Sequence, residues 1–334
     1  MGGRLKLVVQ VPCLNEETSL AAALADIPRH LPGVDDIQIL VIDDGSTDAT
    51  TQVARSCGAH RVIRFARNRG LARAFATGLD EALRMGADIV VTFDADGQYR
   101  GEDFPRLIAP ILSGQADVVV GDRQVDRLPH FSPLKKWLQS IGSVVMRLAS
   151  SVEVPDAPSG FRAFNREAAL RLCVVMDFSY TMETLIHAGE LRLAVVSVPI
   201  GVNPPTRPSR LFRSMPHYIR QSAVTILRAY TMYRPLVTFF TAAGVLGGAG
   251  LLLGLRFLYF HTTRESAGHI QSVVLATCLM GSSFLLMVAG VIADLVRANR
   301  RLLEELLYRT RRMEYERGFA GRITQREQGG QAGP

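Results

Sequence analysis

The sequence predicts an α/β protein with a doubly wound parallel sheet, followed by a pair of long apolar helices. Short runs rich in β-branched residues alternate with helical stretches through the first 120 residues, which is typical of consecutive βα units. Two uncharged segments, 236–255 and 270–293, lie in the last third of the chain. At ~1.5 Å of rise per residue, helices of this length match a hydrocarbon core of ~30 Å.

The composition narrows the class of protein. The chain has 334 residues, of which 48% are hydrophobic, so it can form one sizeable domain and a further unit. Its net charge is +7, which suits either nucleic acid or an anionic membrane surface. The basic residues gather beside the apolar segments, so we expect no nucleic acid among the partners. The four cysteines show no paired spacing, which argues for a reducing compartment.

The βα pattern can be followed element by element. Asn15 is expected to cap the first helix, which should reach Ile27, while Gly58 and Gly86 are expected to end the second and third helices. The third helix is predicted over residues 71–84, after the turn formed by Asn68, Arg69 and Gly70. Strands are predicted over residues 5–11, 37–42, 61–65, 89–93 and 118–120.

Two aspartates follow the fourth predicted strand. Residues 89–93 are apolar and too short for a helix, so they fit a strand that is buried on both faces. Because side chains alternate along a strand, Asp94 and Asp96 should point the same way, into the crevice at the carboxyl end of the sheet. Carboxylates there suit Mg²⁺ or Mn²⁺ together with a substrate diphosphate, although an acidic loop without a metal is the simpler interpretation of the pair alone.

The rest of the chain is basic and apolar. Segment 131–150 is amphipathic and fits either a core helix or a helix at the membrane surface. Segment 211–235 places arginines and aromatic residues beside the first apolar span, as an interfacial helix would. Residues 236–296 are expected to form a transmembrane hairpin, rather than a buried helical pair of a soluble protein. Residues 297–334 are expected to form a basic helix that ends in a disordered tail, and both termini and the catalytic domain should be cytoplasmic.

The order of the motifs resembles a known enzyme family. They are Val11-Pro12-Cys13-Leu14-Asn15-Glu16-Glu17, Val41-Ile42-Asp43-Asp44-Gly45-Ser46, Asn68-Arg69-Gly70, Asp94-Ala95-Asp96-Gly97-Gln98 and Asp156-Ala157-Pro158-Ser159-Gly160-Phe161-Arg162. This succession resembles the family-two glycosyltransferases of GT-A fold. It is most similar to the polyprenyl-phosphate glycosyltransferases, of which the dolichol-phosphate mannose synthases are the best known. The resemblance covers residues 5–210 well and the hairpin only by type, so residues 1–210 are the expected catalytic domain.

The resemblance implies a role for each motif. Residues implied in donor binding are Pro12, Asn15, Glu16, Asp43, Asp44, Asp94 and Gln98. The implied metal site for Mg²⁺ or Mn²⁺ consists of Asp94, Asp96 and Gln98. Implied catalytic residues are Asp96, Arg123, Asp156 and Arg162. Residues implied in binding the acceptor phosphate are Arg207, Ser209 and Arg210, with Arg162 as a further candidate.

The reaction implied is inverting transfer of a sugar from a UDP- or GDP-sugar to a polyprenyl phosphate. Asp156 is then either a general base or a residue that positions the acceptor, and the sequence leaves both open. Two alternatives are a membrane glycosyltransferase with a hydroxyl acceptor, as in polysaccharide or glycolipid synthesis, and a non-catalytic scaffold that binds nucleotide. The Gln-x-x-Arg-Trp signature of processive synthases is absent, since the one tryptophan, Trp137, lies too early. A homo-oligomer is compatible with the sequence.

Overall fold

A computed structural model describes residues 4–124, 152–174, 180–203, 224, 227–228, 231–232, 234–263 and 270–330. The chain divides into two compact units, the first formed by Met1–Ile226 with Glu305–Pro334 and the second by Leu227–Glu304.

The first unit is built on a mixed sheet of seven strands. In chain order the strands are β1 Lys6–Cys13, β2 Asp36–Asp43, β3 Arg61–Arg64, β4 Ile89–Thr92, β5 Val118–Asp122, β6 Arg162–Asn165 and β7 Val195–Pro199. Across the sheet their order is β3-β2-β1-β4-β6-β5-β7. Strands β1 to β4 pair in parallel, as do β5 and β7, whereas β6 runs antiparallel to both β4 and β5.

Helices cover both faces of this sheet. They are α1 Leu20–Asp26, α2 Thr50–Ser56, α3 Leu71–Arg84, α4 Phe104–Leu112, α5 Arg166–Arg171 and α6 Tyr180–Glu190, with a 3₁₀ turn at Gly101–Asp103. Two apolar clusters form, and they divide the side chains of β1 by strand alternation. Leu7, Val9 and Val11 face α1 and α4, while Val8 faces α3.

The predicted strands and the third helix are confirmed, with the following differences. Strand β6 was missed because four residues carry little periodic signal, and it makes the sheet mixed rather than wholly parallel. Strand β7, which has five residues, was missed for the same reason. Asn15 does not cap a helix: it has a φ of 54° and its Oδ1 accepts a hydrogen bond from the Thr47 N–H at 2.8 Å. Helix α1 therefore begins later than predicted, at Leu20.

The second unit contains the apolar helices. Helix α7 spans Pro235–Thr262 and α8 spans Ile270–Gly330, and both are long and apolar enough to cross a membrane. Small residues bring the two helices together. The Ser283 hydroxyl donates to the Ala243 carbonyl at 2.8 Å, and a Cβ built at Gly290 would lie 2.9 Å from the Phe239 Cβ. The predicted apolar pair is thus a packed helical pair.

Helix α8 continues as helix to Gly330, where the sequence predicted a disordered tail after Arg317. Arginine, glutamine and glutamate are good helix formers, which accounts for the difference. The end of α8 belongs to the first unit, and its residues 305–316 pack there on α3 and α5 through Tyr308, Arg311 and Tyr315. Arg311 forms an ion pair with Asp80 at 2.7 Å, and the Tyr308 hydroxyl lies 3.0 Å from a Glu167 carboxylate oxygen.

Candidate active site

Asp94 and Asp96 lie immediately after β4, near the centre of the sheet between β1 and β6. Both residues are half-buried. Burial raises the pKa of Asp94 to about 7, and the neighbouring Asp96 carboxylate adds to the shift. A divalent cation bound by both carboxylates would offset their repulsion.

The backbone after Asp96 is shaped into a tight loop. An Asp96 carboxylate oxygen accepts a hydrogen bond from the Gln98 N–H at 3.0 Å, and Gly97 has a φ of 71°. Asn203 fastens the loop from the far side, because its N–H donates to the Gln98 carbonyl and its Nδ2 donates to the Gly97 carbonyl. This places the Gln98 backbone beside the pair of carboxylates, while its predicted role as a metal ligand remains a prediction.

Arg123 and Asp156 form a bidentate ion pair at the same end of the sheet. Arg123 follows β5, and Asp156 lies in the loop that leads into β6. The Arg123 Nε and Nη2 lie 2.7 Å and 2.9 Å from the two carboxylate oxygens of Asp156. Burial alone lowers the pKa of the Arg123 guanidinium, but the hydrogen bonds with Asp156 outweigh it and the net shift is upward. The guanidinium therefore stays charged, and its plane is fixed by the carboxylate.

Arg162 has a different environment from the one the sequence predicted. Its side chain is fully buried, and its N–H groups donate to the carbonyls of Ala157, Ser159 and Thr181 and to the Thr184 hydroxyl. Burial lowers the pKa of this guanidinium to about 10. With four hydrogen bonds directed into the protein, Arg162 supports the loop before β6, while its predicted contact with an acceptor phosphate stays a prediction.

Asp43 and Asp44, at the end of β2, make different contacts. Asp43 is fully buried, and it accepts hydrogen bonds from the Ser46 N–H and the Thr51 hydroxyl, while its predicted contact with the donor stays a prediction. Asp44 accepts the N–H groups of Arg69 and Gly70 at 2.7 Å and 3.0 Å. Burial raises the pKa of Asp44 above its usual value. These contacts join the end of β2 to the turn that begins α3.

The predicted nucleoside-binding residues after β1 join neighbouring loops. Pro12 is the seventh residue of β1 and is buried. The Asn15 N–H donates to the Ser46 hydroxyl at 2.9 Å, so the loops after β1 and β2 are tied together. Glu16 is almost fully buried and accepts a hydrogen bond from the Ser19 hydroxyl at 2.7 Å. The contacts of Pro12, Asn15, Glu16 and Asp44 with a nucleoside stay predictions.

The carboxylates fit a divalent cation that shares its coordination with a substrate. In the part of the chain that the structure describes, no three acidic, histidine or cysteine side chains converge as a metal cage. Mg²⁺ and Mn²⁺ sites in phosphoryl-substrate enzymes need only one or two carboxylates, because substrate oxygens and water supply the remaining ligands. Asp94 and Asp96 are such a pair.

Comparison with known proteins decides the family. Residues 8–172 match Glycosyl transferase family 2. A UDP-N-acetylglucosamine–dolichyl-phosphate N-acetylglucosaminyltransferase of Methanococcus voltae is 31% identical over 212 residues, which are 57% of this chain and 82% of that protein. The chain belongs to glycosyl transferase family 2. This confirms the family that the motifs predicted and makes the protein a glycosyltransferase.

Two further comparisons extend this result. The glycosyltransferase is 27% identical over 207 residues to an undecaprenyl-phosphate mannosyltransferase of Micrococcus luteus, which covers 59% of this chain and 83% of that protein. A crystal structure of glucosyl-3-phosphoglycerate synthase from Mycobacterium tuberculosis, in complex with Mn²⁺, UDP and glucosyl-3-phosphoglycerate, superposes with a TM-score of 0.52 at 26% identity. It covers 68% of this chain and 80% of that one, which confirms the GT-A fold.

Some predicted site residues of this glycosyltransferase cannot be placed. Arg207, Ser209 and Arg210, with segment 131–150 and most of segment 211–235, lie outside the described residues. Conversely, sequence reasoning missed Tyr99, Gly160, Tyr180 and Asn203. Gly160 lies within the recognised motif of residues 156–162 and Tyr99 directly follows Gln98, so their positions were signalled, whereas Tyr180 and Asn203 reach the site only through the tertiary fold.

Proposed function

We propose that this glycosyltransferase moves a sugar from a nucleotide sugar to a polyprenyl phosphate at the cytoplasmic face of a membrane, with inversion and with Mg²⁺ or Mn²⁺. The observation that carries the proposal is that Asp94 and Asp96 lie at the same end of the sheet as the Arg123–Asp156 pair, close enough for the charge of Arg123 to act on Asp94. This arrangement offers two carboxylates for a cation and one fixed guanidinium for a phosphate. A nucleoside diphosphate leaving group needs both.

Departure of the nucleoside diphosphate from the donor requires positive charge in the site. A cation held by Asp94 and Asp96 would stabilise the negative charge of the departing nucleoside diphosphate. Arg123 adds a permanent positive charge nearby, and Asp156 keeps its guanidinium in one orientation. Mn²⁺ together with UDP is bound by the superposed M. tuberculosis enzyme, which supports a metal-dependent donor site in this chain.

The acceptor half needs little help from a base. A phosphate monoester has a second pKa of about 6, so an acceptor phosphate is largely ionised at neutral pH. One of its oxygens attacks the anomeric carbon, the bond from that carbon to the diphosphate oxygen breaks, and the diphosphate leaves with the electron pair. Since both carboxylate oxygens of Asp156 already accept from Arg123, we assign Asp156 to positioning rather than to proton transfer.

Relatives and the apolar helices favour a lipid acceptor. The M. voltae and M. luteus enzymes are named for dolichyl phosphate and undecaprenyl phosphate. Helices α7 and α8 would hold the enzyme at a membrane, where the lipid tail can stay in the bilayer while its phosphate reaches the site. Arg207, Ser209 and Arg210 are the proposed contacts of that phosphate.

A soluble phosphorylated acceptor is the second candidate. A second structure of the M. tuberculosis enzyme contains Mn²⁺, UDP-glucose and phosphoglyceric acid. It superposes on this chain with a TM-score of 0.55 at 25% identity. The two candidates differ in what they require of α7 and α8, because a soluble acceptor needs no membrane.

A substrate panel separates the two candidates. Full-length protein in lipid nanodiscs is incubated with Mn²⁺ and individual UDP- or GDP-sugars, together with polyprenyl phosphate, the matching polyprenol or phosphoglyceric acid. We expect sugar to be transferred only to the polyprenyl phosphate. Transfer to phosphoglyceric acid or polyprenol, with polyprenyl phosphate ignored, would overturn the proposal.

The cytoplasmic placement rests on the arginines that flank the apolar helices. It is tested by labelling single cysteines from outside intact cells in a background that lacks the four native cysteines. We expect Gly268→Cys to react and Gln328→Cys to remain protected. The reverse pattern would invert the orientation.

A further inference from the structure

The backbone of Gly160 lies against the carboxylate of Asp94. A Cβ built on Gly160 would stand 2.7 Å from Asp94 Oδ2 and 3.1 Å from the Tyr180 hydroxyl oxygen. The first distance is shorter than any real Cβ contact, so an alanine here would displace the carboxylate or the loop. A glycine at this position leaves room for the carboxylate, because its backbone carries no Cβ and lets the loop approach Asp94.

Gly160 is itself held from two sides. Its N–H donates to the Tyr99 hydroxyl at 2.8 Å, and the Tyr180 hydroxyl donates to its carbonyl at 3.4 Å. Both tyrosines are buried and belong to packed aromatic pairs: Tyr99 stacks on Phe161 with ring centroids 5.3 Å apart, and Tyr180 stacks on Phe75 at 4.1 Å. The glycine therefore has little freedom to move away from Asp94.

Arg162 fixes the rest of the same loop. It binds the Ala157 carbonyl at 2.6 Å and the Ser159 carbonyl at 2.8 Å, and its contact with the Thr181 carbonyl at 2.7 Å ties the loop to α6. A buried guanidinium is costly unless it is hydrogen-bonded, so this set of carbonyls must stay in place around it. Arg162 thereby turns residues 157–160 into a rigid support.

We propose that Gly160 is a positioning residue that sets the orientation of the Asp94 carboxylate for a divalent cation, and that Arg162 and Tyr99 hold Gly160 in place. The proposal rests on the function proposed above, since it takes Asp94 as a ligand of the cation. Small divalent cations tolerate little error in ligand geometry. Groups that orient metal ligands typically contribute about 10- to 100-fold to metal affinity.

The test measures Mn²⁺ binding rather than turnover. Full-length Gly160→Ala protein in detergent is titrated with Mn²⁺ alone, and free Mn²⁺ is followed by its electron paramagnetic resonance signal. We expect the dissociation constant to rise by about 10- to 100-fold relative to wild type. The thermal midpoint in EDTA reports separately whether the variant is folded.

Gly248→Ala on α7 is the matched control. Nothing lies within 4 Å of a Cβ built on Gly248. We expect this variant to bind Mn²⁺ as wild type does. Folded Gly160→Ala with unchanged Mn²⁺ affinity, or an equal loss of affinity in Gly248→Ala, would overturn the proposal.

Two more variants complete the design. Tyr99→Phe removes the hydrogen bond to the Gly160 N–H without adding volume, and it is the test to use if Gly160→Ala does not fold. Weaker Mn²⁺ binding by Tyr99→Phe would support the proposal, and unchanged binding would overturn it.

Asp94→Asn separates the positioning role of Gly160 from the proposed function. If Asp94→Asn binds Mn²⁺ like wild type, the metal site itself is wrong. If only Asp94→Asn loses affinity, the metal site holds and the positioning role fails.

Discussion

At the scale of residues, the contact between Arg123 and Asp156 supports the positioning role that we propose for Asp156. The sequence left Asp156 open between a general base and a positioning residue. In the structure its carboxylate is almost fully buried and chelates the guanidinium of Arg123, whose own side chain is 19% exposed. A carboxylate occupied in this way is poorly placed to accept a proton from an acceptor, so its contribution should come through Arg123.

Replacing Asp156 by Asn tests that assignment. The amide keeps the shape but loses the charge, and breaking a buried ion pair costs about 3–5 kcal/mol, so we expect the free energy of unfolding to fall by about 3 kcal/mol. We expect kcat to fall while the shape of its pH dependence stays that of wild type. If Asp156 were a general base, its replacement would instead abolish the fall of kcat at acidic pH.

The double variant Arg123→Met/Asp156→Asn is the control for stability. An apolar side chain no longer leaves a buried charge unpaired, so unfolding free energy should recover while activity does not. Loss of the acidic limb in Asp156→Asn, or full activity in the double variant, would contradict the positioning role. The measurements are urea denaturation of solubilised full-length protein and kcat between pH 5.5 and 9.

At the scale of elements, His60 joins the two outer strands of the parallel half of the sheet. Its Nδ1 accepts a hydrogen bond from the Ile39 N–H at 3.0 Å, which only the neutral ring can do. Burial lowers the pKa of His60, and the nearby Arg29 and Lys6 act in the same direction while Asp36 opposes them. Strand β2 is thus joined to the residue before β3 by a bond that protonation would break.

This contact predicts a pH dependence of stability. Because the folded protein binds a proton at His60 less readily than the unfolded chain does, stability falls as the pH drops below the unfolded pKa of about 6.5. We expect the thermal midpoint of wild type to fall more than that of His60→Gln between pH 7.5 and pH 5.5. An equal or larger fall in the variant would contradict the prediction, and His30→Gln serves as the histidine control.

The end of α8 is a second element-level contact. Arg311 lies on the face of the helix that packs on α3 and α5, where it pairs with Asp80 and donates to the carbonyls of Leu170 and Leu172 at 3.3 Å and 2.8 Å. On the same surface, Arg166 lies over the Tyr315 ring at 4.6 Å. Arg309 is 68% exposed and pairs only along its own helix with Glu305.

Arg311→Gln should therefore loosen residues 305–316 from α3 and α5, whereas Arg309→Gln should not. Hydrogen bonds to a charged group contribute about 1.5–3 kcal/mol each, and surface ion pairs along a helix contribute about 0.5 kcal/mol or less. We expect faster proteolysis within this helical segment of Arg311→Gln and wild-type rates for Arg309→Gln. Equal proteolysis of the two variants would show that the segment is held by other contacts.

At the scale of the whole molecule, the features that were predicted correctly are those that depend on residues close together in the sequence. Helix α3 begins and ends where expected because Gly70 and Gly86 flank it with positive φ values. Asp94 and Asp96 were placed correctly at the end of β4 because a buried strand followed by carboxylates is a local signal. The apolar segments were recognised from length and charge alone.

What the sequence did not show depends on distant contacts. Strand β6 inserts between β4 and β5, which are separated from it by tens of residues along the chain, so its pairing has no local signature. The buried position of Arg162 follows from carbonyls on two different segments. Asp43 and Asp44 are sequence neighbours, yet one serves the fold and the other ties β2 to the turn before α3.

The most direct measurement is the metal dependence of sugar transfer in wild type and in Asp96→Ala, with Glu102→Ala as an exposed carboxylate control. Nanodisc-embedded protein is given its donor and polyprenyl phosphate with either Mn²⁺ or excess EDTA, and the glycosylated lipid is quantified by mass spectrometry. We predict that wild type and Glu102→Ala make product only with Mn²⁺, and that Asp96→Ala is slower by about 10² or more, the scale of losing one preorganised electrostatic group. Full activity of Asp96→Ala in excess EDTA would contradict a metal-bound diphosphate at this site.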